Sequence, residues 1–290
     1  MRKRNIIYIG LAIIIIGIIA VLGVKWNKNI DNTLNMANQD QQKKESEKEE
    51  SKEKEEIKEE VKLKDNSIGV PVLYYHSIYD NPNKDELIVS KEMFREQMKY
   101  LKDNNYKTLT LSELQEYIRD NKKIPEKSVA ITFDDGWVDN YENAYPILKE
   151  YGFNATIFVI TSMVDNHHLY LKSKEIKEMS ENGIEIGSHT VNHDNLVEIS
   201  KDKREKTLED SKKFLEDITK VPVTSIAYPF GVYNDNVLKD SKEAGYTVGF
   251  TTDKGWANGT QNLFKINRVY VNGNSGMDVF RERLNNPKYK

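Results

Sequence analysis

From about residue 70 onward, short runs of β-branched and aromatic residues alternate with longer stretches in which apolar residues recur at helical spacing. Parallel strands need a crossover of a dozen or more residues, most often a helix, to bring the chain back before the next strand begins. Alternation sustained over about 220 residues therefore predicts an α/β fold with a parallel sheet, open or closed into a barrel. The expected strands are residues 70–76, 129–133, 155–160, 184–187, 225–228, 246–251 and 265–271. A helix capped by Ser90 carries Phe94, Met98 and Leu101 on one face, and a shorter one opened by Ser112 carries Leu114 and Ile118. Further helices are expected over residues 140–151, closed by Gly152, and over 173–181, 200–219 and 234–244.

The first 68 residues obey different rules. Arg2, Lys3 and Arg4 precede a nearly unbroken apolar run over residues 6–24. About twenty residues at roughly 1.5 Å each cover a hydrocarbon core of about 30 Å, so residues 1–25 read as a cytoplasmic basic tip and a transmembrane helix. The basic cluster stays inside, which sends everything after Lys25 out of the cell as a single-pass membrane protein. Cleavage as a signal peptide, with secretion, is the competing reading. Residues 26–68 form a polar spacer, almost wholly Lys and Glu between 43 and 64, with too little apolar surface to bury; it is disordered or, given its Glu-to-Lys pairs at helical spacing, a lone charged helix. The folded domain is expected over residues 69–290.

Composition removes several classes of function. A formal net charge of −3 argues against a nucleic-acid partner, since phosphate recognition shows a basic surplus. With no cysteine in the chain there is no disulfide, no thiol nucleophile and no Cys-based zinc site.

Three strand ends carry residues suited to chemistry. The run Val129-Ala130-Ile131-Thr132-Phe133 ends in Asp134, Asp135 and Gly136. Neighbouring side chains of an extended segment point to opposite faces, so a bend, which Gly136 permits, is needed before both carboxylates serve one site. After the next-but-one strand come His189 and His193. Two imidazoles four positions apart lie on one side of a helical turn and can reach a single ion. With Asp135 as third ligand they make a two-His, one-carboxylate set that leaves positions open for water and substrate. The third strand end is Tyr228-Pro229-Phe230-Gly231, where the turn could aim the Phe230 N–H at an oxyanion or be a turn and nothing more.

In content and order, Thr132-Phe133-Asp134-Asp135-Gly136, His189-Thr190-Val191-Asn192-His193 and Tyr228-Pro229-Phe230-Gly231 resemble the motifs of the polysaccharide deacetylase family, the NodB-homology or carbohydrate esterase family 4 domain. The resemblance covers about residues 70–285 and implies a distorted (β/α) barrel that removes N-acetyl groups from a glycan of N-acetylhexosamines with the help of a divalent metal ion. It implies Asp134 as general base, Asp135, His189 and His193 as metal ligands, and Phe230 as backbone oxyanion donor. Where many members carry an arginine partner for the base this chain has Ala227, and where they carry Leu-x-His it has Ile266-Asn267-Arg268. A subgroup resembling poly-N-acetylglucosamine deacetylases begins with a Tyr-His strand whose histidine fills the acid role, and Tyr75-His76 fits it. His76 is accordingly expected to be the acid, and Arg268 either holds the base or is a surface ion-pair residue.

Sugar faces stack on aromatic rings, so Trp137, Tyr141, Tyr228 with Pro229, Tyr233 and Trp256 are candidates for the substrate groove, with core packing as the alternative for each. His167 and His168 read as loop histidines with a minor chance of touching substrate. The ligand types fit zinc, with nickel or cobalt as alternatives. The expected partners are the glycan and the membrane, with the chain acting as a monomer. An O-acetyl esterase and a catalytically silent glycan-binding module are the rival functions, and retention of a base beside three metal ligands argues against the latter.

Overall fold

The computed structural model describes residues 61–80 and 83–289. Its centre is a closed parallel barrel of seven strands: β1 (Val72–Tyr75), β2 (Ser128–Phe133), β3 (Thr156–Val159), β4 (Glu185–Ser188), β5 (Ser225–Ala227), β6 (Val248–Lys254) and β7 (Ile266–Tyr270). Each strand pairs with the next in the chain, and β7 pairs back onto β1. An eighth strand, Lys107–Thr108, adds to the start of β2. The helices are α1 (Lys91–Asp103), α2 (Leu111–Asp120), α3 (Tyr145–Tyr151), α4 (Ser173–Glu181), α5 (Lys201–Thr219), α6 (Asp235–Glu243) and α7 (Met277–Asn285). Alternation thus closes into a barrel, which removes the exposed sheet edges an open arrangement would leave.

Period-two alternation sorts the strand residues into two cores. Leu73, Tyr75, Val129, Ile131, Phe133, Ile157, Val159, Ile226 and Val269 join the apolar layer under the helices. Val72, Ala130, Phe158, Ala227, Val248, Phe250 and Ile266 join a second cluster with Leu114, Tyr117 and Ile118 of α2. The second set lies on the lumen side of the barrel, because side chains two apart on a strand share a face. Continuing the count puts Thr132 and Asp134 of the β2 end, Tyr74 and His76 of the β1 end, and Arg268 of β7 on that same inner face.

Most elements fall where the sequence places them, and the exceptions have local causes. Helix α2 is opened by Thr110, not Ser112: Thr110 and Glu113 form a reciprocal capping box that satisfies two otherwise unpaired N–H groups. The expected helix over 140–151 begins as a π-helical turn, Asn140–Ala144, before α3, which has a proline in its first turn where a missing N–H breaks no helical hydrogen bond. Helix α7 lies beyond the helices that the periodicity predicts. Folded structure also begins upstream of residue 69, since Leu63–Lys64 pairs antiparallel with Ile124–Pro125. Lys64 is buried, donates to the Gly69 carbonyl at 2.7 Å, and has its pKa pushed down by that burial to about 8. A lysine at the end of a Lys/Glu run reads as solvated, and only the fold reveals the cover over it.

The expected membrane span over residues 6–24 and most of the spacer lie outside the described residues. Among the described residues no helix is long and apolar enough to cross a membrane.

Candidate active site

Asp134 ends β2 on the lumen side, almost fully buried, and meets Arg268 of β7 in a two-pronged ion pair with both N–O distances at 2.8 Å. Arg268 is itself completely buried. Its Nε donates to the Thr251 carbonyl at 2.8 Å, Nη1 also approaches Thr132 Oγ1 at 3.3 Å, and the guanidinium lies 4.4 Å above the Tyr74 ring. Both reactive oxygens of Asp134 are therefore oriented by a cation that cannot turn away. Burial alone would raise the Asp134 pKa, but the charge and hydrogen bonds of Arg268 outweigh it and hold the carboxyl well below the usual carboxylate range. Of the two sequence readings of Arg268, the surface ion pair is excluded by burial.

Asp135 comes next in the chain yet faces the same mouth, because Asp135 and Gly136 both adopt positive φ, 73° and 79°. Gly136 is required there: a side chain in its place would combine a left-handed backbone with contact at 3.2 Å to Val159. The bend sets Asp135 Oδ1 3.5 Å from His189 Nε2 and 3.7 Å from His193 Nε2. Ligands bound about 2.1 Å from one ion at tetrahedral angles lie about 3.4 Å apart, so these three groups fit a single cation. His189 Nδ1 sits 2.8 Å from the Ala227 carbonyl, which fixes the proton on Nδ1 and leaves the Nε2 lone pair free to bind a cation. Burial, and then the neighbouring His189, lower the His193 pKa, which favours the neutral ring that a metal binds.

The two histidines do not share a helical turn, contrary to expectation. They lie on an irregular loop after β4 in which Thr190 and His193 take φ of 68° and 57°, and Thr190 Oγ1 accepts from the His193 N–H at 3.1 Å. Together with Phe230, at φ 61°, four non-glycine residues at this barrel mouth hold left-handed backbone, at a cost of about 1–2 kcal/mol each. Such strain is retained where the surrounding contacts dictate it, as at a site.

Phe230 sits at the turn after β5, and among the described residues no backbone group accepts from its N–H. Its ring is largely exposed and packs edge-on against His193 with centroids 4.4 Å apart. Gly231 makes the turn possible, since a Cβ there would come within 2.0 Å of Thr252 Oγ1. His76 follows β1 directly and edges onto Tyr74; its Nδ1 is buried with no hydrogen-bond partner among the described residues. Burial lowers its pKa, against the opposing pull of Asp134 and Asp135. A histidine acid must carry its proton when it acts, and burial here works against that charged form.

Of the groove candidates, three are corrected. Tyr228 is fully buried, its hydroxyl donating to the Phe264 carbonyl at 2.9 Å, and Pro229 beside it is buried too. Period two explains Tyr228: one residue beyond the inward Ala227, it points out under the helices. Trp256 packs against Gly69 and Lys64 beside the entry to β1, the end opposite His76, with its N–H on the Arg283 carbonyl. Tyr233 remains half-exposed after the Phe230 turn, held by Asp253 at 2.8 Å, while Tyr141 bonds Glu178 on the exterior. His167 and His168 stack on each other in an exposed loop. Trp137 is half-buried, and its indole N–H donates to Asp135 Oδ2 at 3.0 Å.

Sequence reasoning missed the supports. Asp139 accepts from Ser77 Oγ and the Ile78 N–H, and Asn140 Nδ2 donates to the His76 carbonyl at 2.8 Å, so the segment after the Asp-Asp-Gly bend holds the end of β1. Their one sequence signal is polar side chains opening an otherwise amphipathic helical stretch.

The arrangement joins a locked carboxylate, a three-ligand cradle, an available N–H and a buried imidazole at the C-terminal ends of parallel strands, where barrel enzymes place their chemistry. Residues 121–249 match the family model for polysaccharide deacetylase. The chain is 41% identical over 208 residues to the Bacillus subtilis protein YxkH, whose name places it among polysaccharide deacetylases; the match spans 71% of this chain and 73% of that one. It is 37% identical over 196 residues to the Staphylococcus aureus poly-β-1,6-N-acetyl-D-glucosamine N-deacetylase, over 63% of this chain and 67% of that one. Among solved structures, the Streptococcus pyogenes deacetylase PplD in complex with acetate superposes with a TM-score of 0.71 at 33% identity, covering 74% of this chain and 98% of PplD. A barrel whose strand ends carry these three motifs, and which shares this much sequence with proteins so named, belongs to the polysaccharide deacetylase family of enzymes.

Proposed function

We propose that the chain is a metal-dependent hydrolase that removes N-acetyl groups from an extracellular polysaccharide containing N-acetylglucosamine, either peptidoglycan or poly-N-acetylglucosamine. The observation that carries this reading is the buried Asp134–Arg268 pair standing beside the Asp135, His189 and His193 cradle. An amide is a poor electrophile with a poor leaving group, so hydrolysis needs an activated water, a stabilised oxyanion and a proton for the departing nitrogen. A divalent ion held by Asp135, His189 and His193, most simply zinc, would acidify water and polarise the acetyl carbonyl. Asp134, kept ionised and aimed by Arg268, takes the proton from the attacking water. The Phe230 N–H donates to the carbonyl oxygen as charge develops on it. His76 delivers a proton to the nitrogen as the C–N bond breaks.

The Staphylococcus aureus relative's name supports the N-acetylglucosamine polymer, and PplD's capture of acetate supports an acetyl group. The basic cluster and apolar run at the N-terminus support a membrane-anchored enzyme with its domain outside the cell. A spacer of about forty residues reaches at most roughly 140 Å, which suits glycan close to the membrane. One observation favours the O-acetyl esterase reading: burial lowers the pKa of His76, and an ester leaves without prior protonation. Mass-resolved acetate release from short N-acetylglucosamine oligomers, peptidoglycan fragments and an O-acetylated xylan, with added zinc and with chelator, tests the proposal. Release from the amide substrates that zinc restores and chelator removes is the expected result; release from the ester alone would overturn it.

A further inference from the structure

The geometry points to Trp137 as a positioning residue that decides how Asp135 offers itself to a cation, an inference that rests on the metal-site reading above. Its indole N–H donates to Asp135 Oδ2 at 3.0 Å, while Oδ1 is the oxygen turned toward His189 and His193. With one oxygen held by a strong donor, the carboxylate presents a single ligand atom. That keeps further coordination positions open for water and substrate.

The indole is itself fixed. Tyr170 stacks on it with centroids 4.4 Å apart and planes 26° from parallel, and the two residues also form an antiparallel backbone bridge. The segment carrying Tyr170 grips both ligand-bearing loops. The Ile160 N–H donates to the Asp135 carbonyl at 3.3 Å, and Leu171 N–H to the Gly136 carbonyl at 3.0 Å. In the other direction Thr161 and Ser162 donate to the Thr190 and Val191 carbonyls at 3.1 and 2.9 Å. Residues 160–171 therefore tie the Asp135 bend to the His189–His193 loop, and Trp137 is where that tie reaches a ligand oxygen. Sugar stacking, the sequence expectation for Trp137, needs only one ring face; Tyr170 covers one face and Asp135 takes the N–H, so the indole is held against the cradle whatever meets its other face.

The test uses the full-length chain with Zn2+ as probe, titrated against a competing chelator, and Co2+ as a spectroscopic reporter. Trp137→Phe keeps a ring on Tyr170 and removes only the donor. It is expected to weaken Zn2+ binding about 10–100-fold, to alter the Co2+ ligand-field bands, and to leave the melting temperature of the metal-free protein in place. Tyr170→Ala should weaken Zn2+ binding in the same direction by less, and Tyr170→Phe should restore it; this pair decides the matter if the Trp137 variant fails to fold. Wild-type Zn2+ affinity in Trp137→Phe with a raised KM would overturn the inference in favour of the sugar platform. Zn2+ binding that persists undiminished in Asp135→Ala would sink the metal-site reading itself, a result distinguishable from the first.

Discussion

Among the described residues two buried arginine–aspartate pairs stand out, and one of them faces chemistry. Arg204 of α5 meets Asp240 of α6 through Nε and Nη2, both 2.7 Å from Oδ2, and its remaining nitrogen reaches toward the Leu196 and Ile199 carbonyls. Arg268 meets Asp134 through a fork that engages both oxygens. Both pairs are nearly inaccessible, so both must satisfy their hydrogen-bonding capacity internally. The difference lies in the surroundings. Glu205 and Glu243 come close to Asp240, but Lys201 and Lys239 neutralise them at 3.2 and 3.6 Å, and the whole cluster joins two helices. Beside Asp134 stand imidazoles and a second carboxylate, with no lysine among their ion-pair partners in the described residues. The same residue pair thus braces the fold in one place and orients a base in the other. Identity of the pair does not distinguish them; what each carboxylate faces does.

The sharpest way to break this comparison is to neutralise one acid at a time. Asp134→Asn is expected to lower deacetylation by about 10²–10⁴-fold, as loss of a general base does, while Asp240→Asn leaves turnover per folded molecule unchanged. Equal kinetic losses in the two variants would erase the distinction. Next in size, Arg204→Ala should destabilise the domain by about 3–5 kcal/mol in urea unfolding, because it strands a buried charge, with kcat preserved in whatever remains folded. Arg268→Ala should lose both stability and activity.

His76→Ala should cost on the order of a hundredfold in turnover on the amide substrate. Because burial depresses the His76 pKa, its protonated fraction disappears as pH rises through a value below the ordinary histidine figure of about 6.5. The kcat/KM of the native enzyme should therefore fall as pH rises, with a midpoint below that figure, and His76→Ala should abolish this descending limb. A limb that survives the substitution would remove His76 from the acid role.

The smallest expected effect is on acid stability. The folded-state pKa of Asp134 lies below its unfolded value, so the stabilisation is present above about pH 3.9 and fades as pH falls toward the folded value. Melting temperature followed from pH 5 to pH 2 should fall less steeply in Asp134→Asn than in the native chain; parallel slopes would mean that Arg268 confers no such linkage.

Much of this was legible in local sequence. Ser90 caps the helix expected of it, helices start just after Ser200 and Asn234 where the periodicity puts them, and Gly152 closes α3 in the left-handed conformation, because caps and periodicity act within a few residues. The misreadings share a cause. Tyr228 and Trp256 look like exposed aromatics near strand ends, yet one turns under the helices and the other lies against Lys64. Arg268 offered two readings until its burial beside Asp134 excluded one. Whether a side chain faces the lumen, the helix layer or water depends on strand register and barrel closure, which no local window contains.

By itself, then, the amino-acid sequence determined the alternation of strands and helices and the order in which the acids, the paired histidines and the Tyr-Pro-Phe-Gly turn follow three strands, since these depend on propensities and spacings along the chain. Only the tertiary structure decided that Arg268 grips Asp134, that Asp135 shares a cradle with His189 and His193, and that Trp137 bonds the ligand carboxylate. The first two contacts join residues from different strands around a closed barrel. Even Trp137 and Asp135, two apart in the chain, meet only because positive φ at Asp135 and Gly136 folds the strand end back on itself.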